Sequence, residues 1–271
     1  MKASSSYRLG FVLAIGVIAA VACDRGESQS TAQGDAGGSA EEAGYVAPPA
    51  LTAATRTERG VVLSGRAPAT AEVRLASPQG QVYTAAAPDG RWTLRLPTPA
   101  TPAMFAFMAE LDGRTIRGEG AVLVAPPPGP AALVLRPGFG AASVGTGAAR
   151  PSIVAVDYDA SGGAAVAGLA APNAAVRLSV DGTPAGIGQA DAAGHFSVMA
   201  LNRTLAPGER RIDVETPGGR AQVRVTASAP EPLGGAAYRA VRQPQGWRID
   251  WAPPGGGVQT SLVFDAPGAA P

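Results

Sequence analysis

The feature that most constrains this chain is an alternation of apolar and polar residues with period two, repeated along most of its length. Ala71, Val73 and Leu75 alternate with Glu72 and Arg74, and Trp92, Leu94 and Leu96 with Arg91, Thr93 and Arg95. Phe105, Phe107, Ala109 and Leu111 share one parity. Further on, Val176, Leu178 and Val180 alternate with Arg177 and Ser179, and Ile212 and Val214 with Arg211, Asp213 and Glu215. Val223 and Val225 do the same with Gln222 and Arg224. Successive side chains of a strand point to opposite faces, so each run reads as a half-buried β-strand. Turn signals separate the runs: Asp89-Gly90, Asp112-Gly113, Asp181-Gly182 and Pro217-Gly218-Gly219. No capped stretch of helical period follows residue 22, and the expected fold class is all-β.

The pattern occurs twice. Gly65-Arg66-Ala67-Pro68 leads to the Val73 strand and then to Asp89-Gly90-Arg91-Trp92. Gly168-Leu169-Ala170-Ala171-Pro172 leads to the Val176 strand and then to Ala193-Gly194-His195-Phe196. The offset of 103 or 104 residues is the size of a β-sandwich rather than of a solenoid repeat. Apolar strand, Gly, small residues, Pro, V-x-L, turn, then Gly-x-aromatic: this order resembles the bacterial immunoglobulin-like (Ig-like) domain. Asp181-Gly182 and Ala190-Asp191 followed by Gly194 fit that family's turn pattern well. The resemblance implies two tandem Ig-like sandwiches, over 51–136 and 151–229, and its motifs mark turns and core rather than chemistry. A transthyretin-like or carboxypeptidase-regulatory-like sandwich shares the same turn grammar and is the alternative fold.

Pro126-Pro127-Pro128-Gly129-Pro130 follows the first copy, and Ala131 to Leu135 fits a closing strand of its sandwich. The Gly/Ala-rich stretch 137–150 is then expected to be a flexible joint. After the second copy, in 230–271, three short strand candidates form a β-meander: Tyr238 to Arg242, Trp247 to Trp251 and Val258 to Phe264. Some 30 residues are too few for an independent core, so the meander is expected to dock on a sandwich or on a partner. Trp247, Ile249 and Trp251 share one face, and Arg248 and Asp250 the other. The two tryptophans are the docking face or, failing that, an exposed binding face.

The N-terminus is of another kind. Lys2 and Arg8 precede an uncharged apolar run, Leu9 to Ala22, of 14 residues. That is short of the ~20 a transmembrane helix needs and has the length of a signal-peptide core, so 1–22 reads as a signal peptide. The run ends in Ala20-Val21-Ala22-Cys23, which resembles the lipobox of bacterial lipoproteins, although Ala20 replaces the favoured leucine. The resemblance implies lipidation of Cys23, the single cysteine, by diacylglycerol, cleavage before it and acylation of the new N-terminus. Two or three acyl chains hold a protein stably in a bilayer. Asp24 resembles the inner-membrane retention signal of enteric bacteria, a rule that does not settle inner against outer membrane here. Residues 23–50 are rich in Gly, Ser, Ala, Gln and Glu with few large apolar side chains, and are expected to be a disordered tether.

Charge and composition narrow the function classes. Without Lys2 and Arg8 the 22 basic residues fall to 20, against 21 acidic ones, a balance that weighs against nucleic-acid binding. The single histidine, His195, has only Gly194 and Phe196 beside it in sequence and aligns with Arg91, an outward strand position. With Cys23 lipidated, no zinc site of the usual N/S type and no cofactor are expected. Asp157-Tyr158-Asp159-Ala160-Ser161-Gly162 begins like a calcium loop, but Gly168 stands where the bidentate Glu is required, so a polar turn is the better reading. Gly255-Gly256-Gly257 lacks the Lys-Ser/Thr of a phosphate loop. Asn202-Arg203-Thr204 has the form of a glycosylation sequon, which carries little meaning in a bacterial lipoprotein. The expected protein is therefore not an enzyme but a spacer, scaffold or interaction module in the cell envelope. It is expected to be lipid-anchored to the inner or outer membrane, facing the periplasm or the cell surface, with an envelope protein or a glycan as partner. The alternative is a carboxylate-based, glycan-acting accessory enzyme.

Overall fold

The computed structural model describes residues 46–201 and 204–266. Cys23, the signal-peptide stretch and most of the tether lie outside the described residues, as do Asn202 and Arg203 of the sequon.

The first copy forms β1 (Ala50–Thr57), β2 (Gly60–Arg66), β3 (Ala71–Ala76), β4 (Val82–Ala87), β5 (Arg91–Leu96), β6 (Ala103–Leu111) and β7 (Arg114–Val124). One sheet has the order β1-β2-β5 and the facing one begins β4-β3-β6-β7. The second copy forms β10 (Ser152–Asp159), β11 (Ala164–Leu169), β12 (Ala175–Val180), β13 (Thr183–Gln189), β14 (His195–Met199), β15 (Gly208–Thr216) and β16 (Gly219–Ala227). Its sheets repeat the order, β14-β11-β10 against β13-β12-β15-β16, and all pairings are antiparallel. Strand order and the placement of the fourth strand beside the third are those of an Ig-like sandwich, so the protein is all-β with two such sandwiches in tandem.

The alternating residues do what the pattern requires. Val61, Leu63, Val73, Leu75, Trp92, Leu94, Leu96, Phe105 and Phe107 fill the first sandwich. Val176, Leu178, Val180, Phe196, Val198, Ile212, Val214 and Val225 fill the second. Trp92 also donates its indole N–H to the Arg66 carbonyl at 3.1 Å, so its one polar atom is satisfied inside the core.

Both sandwiches are extended. After the proline loop, β8 (Leu133–Arg136) pairs with β7 and β9 (Gly140–Ser143) with β8, making a six-stranded sheet. Arg56 holds the loop by donating to the carbonyls of Ala125, Gly129 and Pro130 at 3.0–3.3 Å. At the other end β17 (Tyr238–Gln243), β18 (Gly246–Trp251) and β19 (Gln259–Phe264) form the meander. It joins the second sandwich edge to edge through β19 and β10, giving the six-stranded order β14-β11-β10-β19-β18-β17.

These two six-stranded sheets pack on each other. Met104, Leu123, Leu133, Leu135 and Ala141 of the first meet Ala155, Ala167, Ile249, Trp251 and Val263 of the second in a third core. The intervening positions Phe105, Val122 and Val124 face the first sandwich's interior, and Val156, Val166 and Leu262 face the second's. Residues 46–266 therefore form four stacked sheets with three apolar layers between them.

Two boundaries differ from the sequence reading. The stretch 137–150 is not a loose joint. Gly140–Ser143 is a strand, and a Cβ on Gly140 would stand 2.6 Å from the Ala165 Cβ, so glycine here permits close approach of β9 to the second sandwich. Beyond it, the Gly147 N–H donates to Ala193 at 2.7 Å and the Ala148 N–H to Ala170 at 3.2 Å. The tether also stops short of residue 50: Pro49 is buried, and Ala50 opens β1 opposite Arg66.

Candidate functional site

The seam between the sandwiches gathers the unusual chemistry of the chain. Asp157, on β10, lies buried in it. Its Oδ2 accepts the backbone N–H of Ala141 on β9 at 2.7 Å, and its Oδ1 accepts the Ser261 hydroxyl at 2.5 Å. Ser261 in turn accepts the Trp251 indole N–H at 3.2 Å. One carboxylate thus ties the first sandwich's extension, the second sandwich and the meander together. Burial pushes the Asp157 carboxyl up to about 6, against the opposing pull of the Ser261 hydroxyl, the Ala141 N–H and the Arg136 charge. Asp159 stays in the turn, where its Oδ1 accepts from the Ser161 N–H and hydroxyl and the Gly163 N–H at 2.6–3.1 Å.

The opposite face of the meander carries a second buried polar group. Arg248 donates to both carboxylate oxygens of Asp250 at 3.0–3.2 Å, to the Ala229 carbonyl at 2.9 Å and to the Ser228 hydroxyl. Asp250 also accepts the Thr260 hydroxyl at 2.5 Å. Burial lowers the Arg248 guanidinium while its bonds to Asp250 raise it, and the bonds prevail. A buried ion pair with its remaining valences filled fixes one register for the meander on the sandwich.

Trp247 and Trp251 are on the face the alternation assigned them, with different surroundings. Trp251 is 3% exposed within the seam, whereas Trp247 is half-buried with the Arg242 guanidinium 5.5 Å above its ring. His195 is committed to the fold: its Nε2 lies 2.8 Å from the Gly145 carbonyl and its Nδ1 3.3 Å from Asp191. Burial would raise Asp191, but the His195 N–H, the imidazole and the Ala193 N–H together hold it below the usual carboxylate range.

Beside the seam the outer face of the first six-stranded sheet opens into a cleft of about 470 Å³. Ala76, Met104, Ala106 and Ala121 form its floor, and Trp251, Ala252 and Pro254 of the meander form a wall. The register places Ala76, Ala106 and Ala121 directly across from one another on β3, β6 and β7, and Arg74, Met108 and Arg117 in the next such row. Sequence reasoning missed this site. Arg74 and Arg117 are 43 positions apart and belong to separate alternating runs, so only the strand register reveals that they flank one methionine.

No protein-family model matches the chain, and no curated protein matches it. Among solved structures, the BSP domain of a biofilm associated protein is 17% identical, with a TM-score of 0.23 over 68% of this chain and 30% of that one. The central fibronectin-III array of RIM-binding protein is 16% identical, with a TM-score of 0.26 over 76% of this chain and 71% of that one. Invasin, a bacterial integrin-binding protein, is 14% identical, with a TM-score of 0.23 over 82% of this chain and 54% of that one. The chain thus spans under a third of the first of these and about half of the third. Scores of this size carry no family assignment. The Ig-like character rests on strand order.

Proposed function

We propose that this chain is a lipid-anchored protein of the bacterial cell envelope, a non-catalytic interaction module that presents two fused Ig-like sandwiches beyond a tether. The observation that carries the reading is the third core. It joins the sandwiches into one body, as suits a spacer or a presenting scaffold and as a string of independently swivelling domains would not. A second observation supports it: His195, Asp157 and the Arg248–Asp250 pair have their bonding capacity spent on backbone groups and neighbouring side chains. A general acid or base must instead have a valence turned to substrate. The anchor rests on Cys23 and the lipobox pattern before it. The envelope partner is a protein or a glycan met by a loop, a sheet edge or the cleft beside Trp251.

The test is fractionation. The Cys23→Ser variant, expressed in a bacterium that acylates lipoproteins, is expected to lose its acyl chains and to move from the membrane pellet to the soluble fraction. A serine variant that sediments with the membranes as fully as the parent refutes the anchor.

A further inference from the structure

We propose that the cleft between the outer face of the first sandwich and the meander binds a small amphipathic monoanion, an aromatic carboxylate with a short aliphatic arm. The apolar part would lie on Ala76, Ala106 and Ala121 against Trp251, with the anionic head between Arg74 and Arg117. The proposal rests on the interaction-module reading and does not involve the lipid anchor.

Three observations carry it. First, a cleft of about 470 Å³ is within the ordinary range for small ligands, about 300–1,000 Å³, and too small for a folded partner. Second, its floor is short of side chain. Ala106 is exposed in the middle of a six-stranded sheet, flanked by Ala76 and Ala121, while Met108, Pro137, Trp251 and Pro254 stand around the floor. An apolar ring set there would lose its water on two faces.

Third, the cations beside it are uncommitted. Seven of the arginines pair with carboxylates elsewhere: Arg210, Arg211, Arg220, Arg224, Arg239, Arg242 and Arg248. Arg74 and Arg117 have no hydrogen-bond or ion-pair partner among the described residues, and the Arg74 Nε is buried without an acceptor. A buried guanidinium donor left unpaired is costly, and an anionic oxygen relieves it. Both residues face Met108 across adjacent strands, so their Cα atoms are roughly 10 Å apart. Arg117 lines the cleft and Arg74 stands beside it in the same row, so a carboxylate set over Met108 would lie between two long cationic side chains. Glu119 also lines the cleft, and Glu72 and Glu110 follow two residues beyond Arg74 and Met108 on the same face. These acids weigh against a ligand of higher negative charge.

The test is titration of the full chain in detergent with 4-phenylbutyrate and with its neutral counterpart 4-phenylbutanol, followed by calorimetry and intrinsic tryptophan fluorescence. The acid is expected to saturate one site and to bind at least tenfold more tightly than the alcohol. Arg74→Ala and Arg117→Ala are each expected to weaken the acid about tenfold and to leave the alcohol unchanged. Ala106→Leu, which fills the floor, is expected to abolish binding of both while the thermal midpoint holds. Should that variant not fold, the two arginine variants decide. No saturable binding, equal affinity for acid and alcohol, or binding indifferent to either arginine overturns the site. Recovery of a chemically altered ligand leaves the site standing and overturns the non-catalytic reading instead.

Discussion

Replacing Trp251 with alanine is expected to cost about 3–5 kcal/mol, a large share of what a domain of this kind possesses. The indole is 3% exposed and packs with Ile249, Val263 and Met104 in the core that both sandwiches share. Its loss removes a large apolar surface, leaves a cavity and takes from the Ser261 hydroxyl the indole N–H it accepts. Trp247→Ala provides the comparison within the same strand. Trp247 is half-buried, with one face under Arg242, and its truncation is expected to cost about 1–2 kcal/mol, most of it lost area and the cation–π contact. Urea midpoints of the two variants, read with the slopes, give the answer. Equal costs would mean that Trp251 is no part of a core.

The second large effect concerns Asp157. Its folded carboxyl titrates at about 6, against 3.8 for the free side chain. Between those values the folded protein holds a proton that the unfolded chain has released, so stability falls as pH rises through the window. The full shift corresponds to about 3 kcal/mol, of which roughly 1 kcal/mol is regained on acidifying from pH 7 to pH 5. Asp191 works in the opposite sense, since its carboxyl is held low and its contribution is lost at more acid pH. The comparison is therefore confined to pH 5–7. Asp157→Asn keeps an oxygen for the Ala141 N–H and places an N–H on Ser261. It is expected to raise the urea midpoint at pH 7 and to flatten the rise between pH 7 and pH 5. A variant that is less stable than the parent at pH 7, or that retains the parent's pH slope, contradicts the assignment.

The sandwiches were legible because each strand that faces solvent on one side writes its burial into the sequence as alternation. Val73, Trp92, Leu178 and Ile212 could all be assigned to cores by parity alone. The third core was not read, although the chain carries its sign. Ala121 to Val124 and Ala164 to Val166 are continuous apolar runs, and a strand buried on both faces loses its alternation. Composition then misled at 137–150, where glycine and alanine suggested a flexible joint. Small residues there let β9 approach the second sandwich closely, a requirement that resembles flexibility in composition and opposes it in structure. Asp157 reads as part of a polar turn because Asp159 and Ser161 are one; the bulge between Ile153 and Ala155 helps to set which face it takes. The cleft depended on register across three strands, which turn residues fix and a linear reading does not give.

The central claim is that residues 46–266 are one body with a shared core, and differential scanning calorimetry of the Cys23→Ser protein tests it most directly. Chains of this length commonly unfold domain by domain, and independent sandwiches would do so. A shared seam couples them, because unfolding one sandwich strips the apolar face of the other. The account predicts a single endotherm whose calorimetric and van't Hoff enthalpies agree, and a Trp251→Ala variant whose endotherm splits or broadens. Two separate transitions in the parent protein, with Trp251→Ala moving only one of them, would contradict it.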